Sequence, residues 1–180
     1  IDDGPEQLNF SEEKAALVSD FCNEVSDNLD QVEFALIELE GSEDPIALIN
    51  QIFRAVHTVK GGARLLEINK IETLAHQMES LLDDIRSYKM LADEHVIDVL
   101  MDGNTAMTEM VKEVRNLDTI KTEIKSLVHQ IYSIRVGEKR ELSNSENNDK
   151  SATLPASKKD IVSNKTDAKK TENKISEENI

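Results

Sequence analysis

Between residues 11 and 136 apolar side chains recur at steps of three and four, the repeat of helices that bury one face, and nowhere do they alternate with the period of two that a half-buried strand needs. Val18, Phe21, Val25, Leu29, Val32, Leu36 and Leu39 mark a first helix that Ser11 can cap and that Gly41 stops after about Glu40. Asp44-Pro45, a cap followed by a residue preset for the first helical turn, opens a second helix that runs to about Leu66 through Ile49, Ile52, Phe53, Val56, Val59 and Ala63. Asn69 with Glu72 three residues on resembles a capping box. It starts a third helix, to about Ser87, through Ile71, Leu74, Ala75, Met78, Leu81, Leu82 and Ile85. Asp93 opens a fourth through Val96, Val99, Leu100, Met107, Met110, Val111 and Val114, in which Gly103 is either a close-packing point or a kink. Asp118 opens a fifth through Ile120, Ile124, Leu127, Val128, Ile131 and Ile134.

Connections of about two to six residues make successive helices antiparallel neighbours. The expected fold is therefore all-α: an up-down-up-down four-helix bundle with a fifth, C-terminal helix packed on its end or side. Residues 1–10 read as a polar lead-in punctuated by Gly4-Pro5. After Val136 the apolar pattern fades. Residues 137–180 hold too few apolar side chains to offset the entropy of ordering them, so the reading is a bundle over 1–136 followed by a disordered polar linker or tail.

Charge sharpens this picture. The chain carries a net -15 at pH 7, and because the nine basic and nine acidic residues of 137–180 cancel, the whole excess falls on the bundle. Such a body disfavours nucleic acid and anionic membranes as partners. The single cysteine, Cys22, allows no internal disulfide and, between Phe21 and Val25, reads as a small buried hydrophobe. No apolar run approaches the roughly 18 residues of a membrane span. The start Ile1-Asp2-Asp3 has no signal-peptide character, so the expected location is cytoplasmic. A missing initiator Met and an ending in mid-tail suggest a piece of a longer protein.

One stretch departs from the acidic background. From Pro45 to Leu66 there is no Asp or Glu, while Arg54, Lys60 and Arg64 are present. On the helix, His57 falls off the core stripe, with Lys60 one turn later and Gly61 and Arg64 following on the exposed side. Gly61 and Gly62 each cost roughly 1 kcal/mol relative to alanine inside a helix, and the simplest reason to keep them is room for another backbone or a bulky anion near the imidazole. On the third helix His76, Glu79 and Asp83 share a face beside the apolar stripe, and antiparallel packing can bring His76 and Glu79 next to His57. A carboxylate that accepts from one ring nitrogen fixes the tautomer and leaves the other a better nucleophile, a role that suits Glu79. A nucleophilic imidazole with cations one turn away suits a phosphoryl group. His95 and His129 have no partners at metal spacing and read as surface residues, so no metal site is expected. No Gly-rich phosphate loop follows a strand, so this chain shows no ATP-binding machinery of its own.

His57-Thr58-Val59-Lys60-Gly61-Gly62-Ala63 is preceded by Phe53-Arg54-Ala55 and followed by Leu74-Ala75-His76-Gln77-Met78-Glu79-Ser80-Leu81-Leu82-Asp83. Together these segments resemble the phosphoacceptor region of the histidine phosphotransfer (HPt) family, in the form it takes at the N-terminus of CheA-type chemotaxis kinases. The resemblance extends from about Val18 to Ile134. It implies that His57 accepts a phosphoryl group from an ATP-bound kinase catalytic domain elsewhere and passes it to an aspartate of a response regulator receiver domain. Glu79 would bond the His57 ring, Lys60 and His76 would flank the phosphate, and Gly61 and Gly62 would keep the approach open. Helical position adds Arg64 as a phosphate or regulator contact. No cofactor is expected in this chain; ATP and Mg²⁺ belong on the partner kinase domain and Mg²⁺ on the receiver. The isolated domain is expected to be a monomer. Two other readings remain open: a free-standing or hybrid-kinase relay protein, and a helical adaptor bundle in which His57 is incidental.

Overall fold

Side chains placed where the sequence offers caps set three helix starts. Ser11 Oγ accepts from the Lys14 amide at 3.3 Å, Asp44 Oδ1 from Ala47 at 3.1 Å and Asp93 Oδ1 from Val96 at 2.9 Å, each satisfying an amide the first helical turn leaves orphaned. The computed structural model describes residues 4–39, 41–116 and 119–148, with side chains described through Gly137. Its helices are α1 (Glu12–Leu39), α2 (Pro45–Leu66), α3 (Asn69–Arg86), α4 (Glu94–Arg115) and α5 (Lys125–Asn148). Glu67, in the left-handed region at φ 61°, ends α2, and the Ile68 amide closes back onto the Ala63 carbonyl at 2.9 Å. Among the described residues, no helix is long and apolar enough to cross a membrane.

Around the core, α1 packs on α2 and α4, and α3 packs on the same two helices. Every member of the α1 stripe named from the sequence is buried, as is the α3 stripe. Cys22 is fully buried; burial pushes its thiol pKa up and nearby Arg115 only partly counters this, so the thiol is unreactive. Gly103 is a close-packing point, because a Cβ there would lie 2.5 Å from Met78 Sδ of α3. α5 lies against α3 and α4. It runs parallel to α3: Lys70 Nζ donates to the Thr122 carbonyl at 2.8 Å near its start, and Arg135 Nε donates to Asp84 Oδ2 at 2.8 Å further along.

Four expectations need correction. No capping box starts α3, since the Ile68 N-cap makes no side-chain bond. Glu6 does the work from across the chain, its Oε1 accepting from the Asn69 amide at 2.6 Å and its Oε2 from the Lys70 amide at 2.9 Å. A carboxylate facing the positive end of a helix satisfies two donors at once. Residues 4–10 are therefore part of the fold, with Leu8 and Phe10 packed on the core and Glu6 bridged in antiparallel fashion to Ile120. That bridge also explains why α5 begins at Lys125: Ile120 and Ile124 are buried but precede the helix, held in a non-helical segment. Asp118, the expected start, lies outside the described residues. Finally, the helical part of the chain does not end at Val136, since α5 continues through the first residues of the expected tail to Asn148. The rest of the expected tail, 149–180, lies outside the described residues.

Replacing Glu6 with alanine is expected to lower stability by about 1–2 kcal/mol, the range for losing a helix cap with charge-assisted bonds. A fall in the urea midpoint at constant m checks it; an unmoved midpoint would show that the clamp contributes nothing.

Candidate functional site

Antiparallel packing of α2 on α3 sets His57 against Glu79, with His57 Nδ1 2.7 Å from Glu79 Oε1. An ionised carboxylate can only accept, so Nδ1 carries the proton, and in the neutral ring the lone pair belongs to Nε2. Glu79 is 13% exposed, whereas the His57 ring is 61% exposed, so the pair anchors at one end and presents the other. Lys60, one turn along α2, donates to the remaining carboxylate oxygen, Oε2. Burial by itself would raise the Glu79 pKa, but hydrogen bonds from His57 and Lys60 more than offset it and hold the carboxyl below its ordinary range. The site thus keeps a fixed negative charge at neutral pH behind the imidazole.

Three supports escaped the sequence reading. Phe53, counted there as core, is only partly buried; its ring lies nearly parallel to the imidazole, at 16° and 6.2 Å between centroids. Arg86 of α3 covers the Phe53 ring at 4.1 Å from its centroid and bonds Asp83 at 2.8 Å. The spacing of Phe53 four residues before His57 was the available signal. Arg135 has no such signal, because it arrives from α5. Together with Lys60, His76, Glu79 and Asp83 it lines a cleft of about 270 Å³ on the α3 side of the site.

The structure thus joins Glu79 to both His57 and Lys60, sets His76 in the same cleft as Lys60 and Glu79, and leaves Arg64 apart. Arg64 is exposed, its Nε 3.9 Å from Glu72 on α3, and it does not line the cleft. The two glycines separate as well. Nothing lies within 4 Å of a Cβ built on Gly61, whereas one on Gly62 would sit 2.9 Å from the Phe21 ring of α1. Gly61 leaves open space next to the imidazole, and Gly62 makes room for Phe21. Gly61→Ala is accordingly expected to raise the stability of the bundle by about 0.5–1 kcal/mol, and Gly62→Ala to gain nothing because Phe21 must move. Urea titration of both variants checks this; equal stabilisation would show that Phe21 yields freely.

The family model for the Hpt domain matches residues 16–117, which contain His57, Lys60, His76 and Glu79. The chain belongs to the Hpt domain family. This Hpt domain is 30% identical over 117 residues to the chemotaxis protein CheA of Treponema pallidum, a match covering 65% of the chain and 14% of that protein. It is 28% identical over 116 residues to CheA of Listeria monocytogenes, covering 61% of the chain and 19% of the relative. The chain therefore spans only a small part of the length of the curated relatives it matches. Among solved structures it is similar to the phosphorylated P1 domain of CheA3, crystallised in complex with CheY6 from R. sphaeroides. The TM-score is 0.61 and the identity 26%, over 69% of this chain and 97% of that one.

Proposed function

We propose that this Hpt domain is the phosphotransfer module of a CheA-like two-component kinase, with His57 as the phosphoacceptor. The carrying observation is the exposed imidazole held through Nδ1 by a carboxylate that Lys60 also grips. In the first step the Nε2 lone pair attacks the γ-phosphorus of ATP bound, with Mg²⁺, on a kinase catalytic domain; the bond to the bridging oxygen breaks and ADP leaves with its electron pair. In the second, a carboxylate oxygen of a receiver aspartate attacks the phosphorus, and the P–N bond breaks to return its pair to Nε2. Through both steps Glu79 keeps the Nδ1 proton in place and steadies the charge on the phosphorylated ring, while Lys60 and His76 flank the phosphoryl oxygens. Phosphoryl transfer depends mainly on positioning and charge stabilisation, so a rigid bundle that presents one nitrogen is sufficient, and Mg²⁺ on the receiver supplies the rest.

The phosphorylated state and regulator partner named for the R. sphaeroides neighbour support this reading. It places the chain in the cytoplasm, where its partners and ATP are, and treats the isolated domain as a monomer. The test is incubation with the catalytic core of a CheA-type kinase and labelled ATP, followed by addition of a CheY-type receiver. Label must enter the parent domain and then leave it.

A further inference from the structure

Cations are scarce on the described surface, and nearly all are engaged. Lys14 pairs with Glu67, Lys60 with Glu79, Arg86 with Asp83, Lys112 with Glu109, and both Lys89 and Arg135 with Asp84. Arg54 differs. It is exposed one turn before His57, and its guanidinium finds no acceptor among the described residues. With Thr58 it borders an open groove of about 620 Å³ between α1 and α2, whose other polar walls are Asn28, Gln31, Asn50 and Gln51. No carboxylate lines that groove, in a chain of net charge -15. Amides donate and accept without charge, so a single unneutralised cation sets the sign of the surface.

We propose that this groove is a docking surface for the acidic face of the receiver domain, with Arg54 meeting the carboxylates around the phosphoacceptor aspartate. The proposal rests on the phosphotransfer reading above. A receiver that uses an aspartate with Mg²⁺ must present further carboxylate oxygens to hold the metal, since Mg²⁺ takes hard oxygen ligands. That anionic surface has to approach an anionic bundle, and a local cation beside His57 converts repulsion into steering. Lys60, held by Glu79, and Arg135, which shares Asp84 with Lys89, lie on the opposite, α3 side and do not border this groove. The groove opens on the α1 side, where a broad protein surface can lie across two helices.

The test measures the two steps separately on the full chain: labelling by a CheA-type catalytic core with ATP, then transfer to a CheY-type receiver with Mg²⁺ at low and high salt. For Arg54→Glu the expected result is labelling within about twofold of the parent and transfer slowed roughly tenfold at low salt, a deficit that shrinks as salt screens it. Arg54→Lys should retain most of the transfer rate. Gln31→Glu, which puts a carboxylate on the α1 wall without altering α2, should slow transfer in the same direction. Unchanged transfer in Arg54→Glu and Gln31→Glu, or equal slowing of both steps, overturns the proposal. A loss confined to labelling also overturns it, and assigns the groove to the kinase domain. Failure of the parent chain to take label, read before any receiver is added, overturns the phosphotransfer reading itself.

Discussion

Replacing His57 with glutamine is expected to abolish labelling by a kinase catalytic core and ATP while leaving the bundle folded. The imidazole is mostly exposed and makes one hydrogen bond, to Glu79, whose other oxygen is held by Lys60. A glutamine amide can donate to the same carboxylate, so stability should stay within about 0.5 kcal/mol of the parent, as for most surface changes. What the variant lacks is a nitrogen lone pair of suitable basicity; the other imidazole nearby, His76 of the cleft, has no carboxylate bonded to its ring among the described residues. Gel or filter counts of retained label, set beside a urea curve, decide the matter. Label that survives the substitution moves the acceptor elsewhere and ends the proposal.

The second large effect is expected at Glu79. Glutamine there keeps an oxygen that can accept from Nδ1 but removes the charge proposed to steady the phosphorylated ring, and labelling should slow by roughly ten- to a hundredfold, the usual range when an orienting partner is lost. Lys60, released from its ion pair, is partly exposed and can reach water, so the fold should persist. An unaltered rate would remove Glu79 from the chemistry. A pH effect follows from the same carboxylate. Its folded-state pKa is depressed, so on acidification the unfolded chain takes up the proton first. The stability it contributes is fully present above the ordinary carboxylate range and is lost as pH falls through the lowered value. The parent's acid limb, followed by urea titration between neutral pH and strong acid, should therefore be steeper than that of Glu79→Gln.

Much of this was legible in the sequence because helices encode locally. The caps Ser11, Asp44 and Asp93 sit a few residues from the amides they satisfy, and the stripes of α1 and α3 follow a fixed period, so bundle and site geometry could be read together. His57, Lys60 and Glu79 were legible for the same reason: once two antiparallel helices were phased by their apolar faces, the polar positions flanking those faces had to meet. The unread parts join residues far apart in the chain. Glu6 on the start of α3, Ile120 in its bridge and Arg135 in the cleft are each fixed by tertiary packing, to which no local propensity points. The two glycines looked equivalent for a related reason, since only the position of Phe21 on α1 separates them.

The parallel course of α5 along α3 determines where the chain leaves the bundle. Beside Asp84, at Arg135, α5 passes the rim of the cleft that holds Lys60 and Glu79 and runs on to Asn148, away from the other end of α3, where Glu6 grips Asn69. The thirteen residues after Arg135 extend that helix by about 20 Å, so the point of departure is the tip of a rod rooted at the cleft and not the base of the bundle.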